Sequence, residues 1–135
     1  MSAKKRSLLD SYALLAYLKK ESNYEKVMNL LKVAQDKEQP LLMNEINVGE
    51  TFYILARERS FNEAESFLEF FPVLPIKQIP NLFEHVLNAA RIKAKYSISY
   101  ADCFAVMTAL EYEASIVTGD PEFKKVEDMI QIDWL

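Results

Sequence analysis

Short apolar runs alternate with amphipathic helices along this chain, and that alternation restricts its fold more than any other feature. The runs are Ser7-Leu8-Leu9, Leu41-Leu42-Met43, Val73-Leu74-Pro75-Ile76, Ile116-Val117 and Met129 to Trp134. Each reads as a strand, the last by loose alternation and Ile116-Val117 as a buried one. Between them lie helical stripes. Leu14, Leu15 and Leu18 form one, ending at Lys19 and Lys20, whose charges suit the C-terminal end of a helix dipole. Tyr24, Val27, Met28 and Leu31 form the next, after an Asn23 cap. Asn44 to Ser60 reads as a helix, and Phe61 to Phe71 as another that Pro72 closes. Pro80 marks the start of a helix running to about Lys95 with Phe83, Val86, Leu87 and Ala90 on its face. Ser99 starts the last, with a stripe of Cys103, Val106, Met107 and Leu110. Strands separated by helices or helix pairs predict a mainly parallel sheet with helices on both faces. Pro75 suggests an edge position or a bulge for its strand. With 135 residues and no linker or repeat, one domain over 1–135 is expected.

Composition removes several kinds of chemistry. One cysteine, Cys103, excludes an internal disulfide and a cysteine-rich zinc site. One histidine, His85, excludes acid–base pairs of histidines within the chain. No Gly-x-Ser-x-Gly elbow and no glycine-rich phosphate cradle occurs. The formal charge of −4 argues against a protein that coats nucleic acid, though not against an enzyme acting on it. No apolar run approaches the roughly 20 residues that cross a bilayer. Met-Ser-Ala-Lys-Lys-Arg is followed by no long apolar region or cleavage site. The expectation is a soluble cytoplasmic protein with no membrane partner.

Ile116-Val117-Thr118-Gly119-Asp120-Pro121 reads as a buried strand that delivers a carboxylate into a tight turn, the place where open α/β sheets put ligands. Asp10 ends the first strand, Glu50 lies a turn or so into the helix after the second, and Asp102 lies in the first turn of a late helix. Each has an ordinary explanation. Asp10 suits a helix cap, Asp102 a capping box with Ser99, and Asp120 an N-cap before proline. Glu50 lies inside a helix near Ile46, Tyr53 and Ile54, with Arg57 its one basic neighbour on that side, and needs a partner or solvent. Jointly the four can converge on one crevice, because strand ends and the following helix starts share one edge of a parallel sheet. Converging carboxylates repel unless a counter-charge is present. Mg²⁺ or Mn²⁺, which favour oxygen ligands, would supply it and suit phosphodiester hydrolysis. Thr118 is either a plain β-branched strand residue or a hydroxyl that orients a ligand or water. The two glycines, Gly49 and Gly119, each precede one of these acids.

Leu8-Leu9-Asp10, Asn44 to Glu50, Ser99 to Ala105 and Val117 to Phe123 together resemble the PIN-domain nucleases, and among them the small single-domain toxins of the VapC type. The resemblance spans essentially the whole chain. It implies a three-layer α/β/α sandwich, a Mg²⁺- or Mn²⁺-dependent ribonuclease and a pocket of three to four acids. The family's acids fall on Asp10, Glu50, Asp102 and Asp120, and its hydroxyl before the last Gly-Asp falls on Thr118. Asn44 stands where the family often has serine or threonine near the end of the second strand. The resemblance also implies a homodimer and a small antitoxin encoded alongside. For the latter, Tyr17, Phe52, Tyr53, Phe67, Phe70 and Phe71 offer either an apolar groove or simply core.

Two other classes compete with a metal-dependent endoribonuclease. One is a non-catalytic PIN-like interaction module in an RNA-processing assembly, against which the intact acids weigh. The other is phosphoryl chemistry through an aspartyl nucleophile. That would want Asp-x-Asp after the first strand, where Asp10-Ser11-Tyr12 stands. Cys103 and Trp134 are read as packing residues, and His85 as a packed or surface histidine rather than a catalytic one. Lys4-Lys5-Arg6, Arg91-Lys93-Lys95 and Lys124-Lys125 are each read as solvated faces before RNA-guiding ones, with Lys124-Lys125, close after the acidic turn, the best of the three for phosphate contact.

Overall fold

The computed structural model describes residues 6–135. Lys4 and Lys5 of the N-terminal basic run lie outside the described residues. The order is β1 (Arg6–Leu9), α1 (Ser11–Leu18), α2 (Tyr24–Asp36), β2 (Leu41–Asn44), α3 (Glu45–Glu58), α4 (Phe61–Phe70), a 3₁₀ turn (Phe71–Val73), β3 (Ile76–Ile79), α5 (Phe83–Lys95), α6 (Tyr100–Tyr112), β4 (Ala114–Thr118), a second 3₁₀ turn (Pro121–Val126) and β5 (Ile132–Trp134). The strands form one sheet in the order β3-β2-β1-β4-β5. Every pairing is parallel; Leu9 lies opposite Val117, for example, and Asn44 opposite Ile79.

Alternation within each strand builds the layers. Leu8, Leu42 and Ile116 point to one face and join Ala89, Ile92, Phe104 and Val106 of α5 and α6 in one core. Leu9, Met43 and Val117 point to the other and join Leu14, Val27, Leu55 and Phe67 of α1 to α4 in a second. A strand buried on both faces reads as a continuous apolar run, which is why such short segments suffice. The expected α/β/α sandwich is therefore the observed one.

Local differences have local causes. β3 lies three residues later than Val73–Ile76, because Pro72 is drawn into the 3₁₀ turn together with Val73. Pro75 stays outside the strand, yet its carbonyl accepts from the Leu41 amide (2.9 Å). The edge position expected from Pro75 is correct. The last strand is confined to Ile132–Trp134. α5 starts at Phe83 rather than at Pro80, and the His85 Nδ1 accepts from the Leu82 amide at 2.9 Å. Lys19 and Lys20 fall just past α1, and Lys19 binds Glu58 (2.7 Å) and Glu21 (3.3 Å) instead of a helix end. Asn23 precedes α2 as expected but makes no side-chain cap bond. Cys103 is fully buried, as read. Of the six aromatics considered for a groove, Phe67 and Phe71 are core, Tyr17 and Phe52 pack against it, and Tyr53 and Phe70 are exposed.

Candidate active site

The strand order reverses direction between β1 and β4, so a crevice opens at their C-terminal ends. Asp10 follows β1 directly and caps α1, its Oδ1 accepting from the Ala13 amide at 2.8 Å. Its Oδ2 accepts from the Thr118 hydroxyl at 2.5 Å. That hydroxyl in turn accepts from the Asp120 amide at 3.0 Å. Thr118, fully buried at the end of β4, thus ties the first acid to the backbone of the last. Asp120 caps the second 3₁₀ turn, accepting from the Glu122 amide at 3.0 Å, with Pro121 in that turn. Phe123, one of the largest fully buried side chains, anchors the turn in the α5/α6 core.

α3 and α6 bring the other two acids. The Asn47 amide nitrogen donates to the Ala101 carbonyl at 3.1 Å, linking the two helices one turn before Glu50 and next to Asp102. Glu50 accepts from the Ser11 hydroxyl at 2.5 Å. The Ser99 hydroxyl accepts from the Asp102 amide at 3.1 Å, so the N-cap predicted there forms. Among the described residues no return bond runs from the Ser99 amide to the Asp102 carboxylate.

The result is a cleft of about 320 Å³ walled by Ser11, Tyr12, Glu50, Asp102, Asp120 and Glu122. Asp10 lies beneath it, 1% exposed. Burial pushes the Asp10 carboxyl up to about 8; the Thr118 and Ala13 bonds oppose this, and the charges of Asp102 and Asp120 add to it. Burial likewise pushes Asp102 up to about 6, with the Ser99 hydroxyl opposing and Glu50, Asp120 and Glu122 adding repulsion. Glu50, Asp102 and Asp120 therefore line one cleft, and Asp10, buried beside it, interacts electrostatically with Asp102 and Asp120. They do not form a ready cage: among the described residues no three His, Cys, Asp or Glu side chains are grouped closely enough to hold an ion. Asp10 and Glu50 are instead turned toward hydroxyl donors.

The donor set itself is all oxygen, with carboxylates, hydroxyls and no histidine or thiolate. That chemistry fits a hard divalent cation such as Mg²⁺ or Mn²⁺ better than zinc or copper. The mutual repulsion of Asp10, Asp102, Asp120, Glu50 and Glu122 is the property that a bound cation would offset.

Asn44 is not a wall of this cleft. Its amide donates to Asn81 and to Thr108 (both 2.8 Å) and its carbonyl oxygen accepts from Ile46, which caps α3 and ties β2 to the loop after β3. Lys125, one of the pair weighed for phosphate contact, is exposed and bonds Glu122 (2.6 Å) and the Ser97 carbonyl (3.0 Å). Lys124 is exposed. Sequence reasoning passed over Ser11, Tyr12 and Glu122 as site residues. Each is within two positions of an assigned acid, and that adjacency was the available signal.

The PIN domain model matches residues 7–129, so the chain belongs to the PIN domain family. No curated protein matches it. Solved structures are similar in fold. A DNA-bound VapBC from Salmonella typhimurium superposes with a TM-score of 0.76 at 13% identity, covering 97% of this chain and 98% of that one. VapC20 of Mycobacterium tuberculosis, a toxin that cleaves the sarcin-ricin loop, gives 0.73 at 10% identity, covering 92% and 95%. VapBC2 of Rickettsia felis, bound to a promoter DNA fragment, gives 0.70 at 15% identity, covering 96% and 98%.

Proposed function

We propose that the protein is a metal-dependent endoribonuclease and the toxin of a toxin–antitoxin pair. The observation that carries this reading is a cleft at the sheet's switch point lined by Glu50, Asp102 and Asp120, with Asp10 buried within electrostatic reach of Asp102 and Asp120. Membership of the PIN family and the likeness in fold to VapC proteins support it.

Asp10, Glu50, Asp102 and Asp120 would hold Mg²⁺ or Mn²⁺. Such an ion would supply a Lewis acid for a phosphoryl oxygen and for water. The chain's own residues do the rest. Thr118 fixes the Asp10 carboxyl and the Asp120 backbone in one register. Ser11 orients Glu50, and Ser99 starts α6 so that Asp102 faces the cleft. The surrounding core excludes water from the Asp10 side. RNA is the substrate, and a small antitoxin and a second copy of the chain are the expected partners.

The test is cleavage of RNA by purified, antitoxin-free protein with Mg²⁺ or Mn²⁺. Cleavage should stop with chelator and fall at least 100-fold in Asp10→Asn and Asp102→Asn. No cleavage of any RNA, with toxicity in cells unchanged by either substitution, would sink the reading. The hydroxyl pairing of Asp10 and Glu50 favours one alternative, a non-catalytic PIN-like module in an RNA-processing assembly. It would take up no Mn²⁺ at millimolar concentration.

A further inference from the structure

Acids are not the whole of the cleft wall. Tyr12, the second residue of α1, is 43% exposed. It borders both the acidic cleft and an adjoining hollow of about 400 Å³ that shares Leu15 and Ile54 with the cleft and reaches Lys19. Gly119 explains the position of its ring. No glycine in the described chain has a positive φ, so backbone conformation does not require glycine there. A Cβ at Gly119 would instead lie 2.5 Å from Tyr12 Cε1 and 3.0 Å from Cζ. The Tyr12 ring occupies the space a side chain would fill, resting on the backbone between Thr118 and Asp120. One side of the ring is thereby held and the rest is open to solvent. Among the described residues its hydroxyl makes no hydrogen bond.

The charges nearby make an aromatic surface useful. Lys125 is committed to Glu122 and the Ser97 carbonyl, and Lys19 to Glu58 and Glu21. A polyanion entering this cleft meets the carboxylates of Glu50, Asp102, Asp120 and Glu122, and these two lysines, already paired, neutralise little of its charge. Stacking of a base on an aromatic ring has no such penalty and tolerates any sequence.

We propose that Tyr12 is a substrate-positioning residue, its exposed ring stacking on a nucleobase of single-stranded RNA next to the phosphate held over the acids. This rests on the nuclease reading above and adds the residue that sets the strand's position. Stacking on one aromatic corresponds to a change of about 10- to 100-fold on removal of the ring.

The experiment compares the native protein with Tyr12→Phe and Tyr12→Leu on a short random-sequence single-stranded RNA, with Mn²⁺ present. Tyr12→Leu should raise KM about 10- to 100-fold and leave kcat and Mn²⁺ affinity unchanged, while Tyr12→Phe behaves as the native protein. In an Asp102→Asn background, fluorescence of a 2-aminopurine in the RNA should be quenched with tyrosine or phenylalanine at position 12 and not with leucine. An unchanged KM and an unchanged quench in Tyr12→Leu, with the native protein cutting RNA, would overturn the role of Tyr12 alone. Absence of cleavage by the native protein would overturn the nuclease reading and the stacking role with it.

Discussion

Asp10 is a carboxylate placed where carboxylates are least stable, and the fold tolerates it by giving it two donors, Thr118 and the Ala13 amide. Its raised pKa has a definite sign. The unfolded chain releases this proton near 3.8 and the folded one near 8, so the metal-free fold gains stability from it below about 4 and loses that gain as pH rises to 8. Asp102 contributes in the same direction up to about 6. Thermal melts of metal-free protein should therefore show a lower Tm at pH 8.5 than at pH 5.5, by several degrees, and Asp10→Asn should remove most of the difference. An equal pH dependence in that variant would contradict the burial argument. Thr118→Val keeps the shape but strips a donor from Asp10 and an acceptor from the Asp120 amide. It should cost about 1–3 kcal/mol in denaturant melts and lower activity, with Thr118→Ser restoring both. A Val variant as active as the native protein would reduce Thr118 to a strand residue.

Helices in this chain end and turn with unusual residues. Lys20, Glu38 and Glu113 adopt φ of 52°, where glycine is favoured, and Glu113 is the C-cap of α6. Gly49, by contrast, sits exposed inside α3, with nothing within 4 Å of where its Cβ would be. The two positions predict opposite substitutions with the same result. Gly49→Ala should stabilise by about 0.5–1 kcal/mol through helix propensity, and Glu113→Gly by about 1 kcal/mol through relief of the left-handed conformation. Both are read as shifts in urea midpoint at constant m-value. Destabilisation by Gly49→Ala would show that this face of α3 is constrained by more than its own helix.

The whole molecule was largely legible because a strand buried on both faces leaves a plain mark, as Leu8-Leu9 and Ile116-Val117 do, and because parallel topology sends strand ends to one edge. β3 was displaced because Val73 and Leu74 look like strand residues, and only the three-dimensional pairing with Leu41 shows that the ladder begins after Pro75. The acids were legible as positions and not as partners. Thr118 meets Asp10 across 108 residues and Ser11 meets Glu50 across 39, separations that no local pattern records. The Lys125 partners are hidden for the same reason, since the Ser97 carbonyl lies in the loop before α6. A cation is what the proposed function asks of this cleft, whose carboxylates repel one another. Calorimetric titration of the native protein and of Asp102→Asn with Mn²⁺ at pH 7.5 tests that directly. Saturable binding that weakens at least tenfold in the variant is the predicted result, and no heat of binding to the native protein at millimolar Mn²⁺ would contradict it.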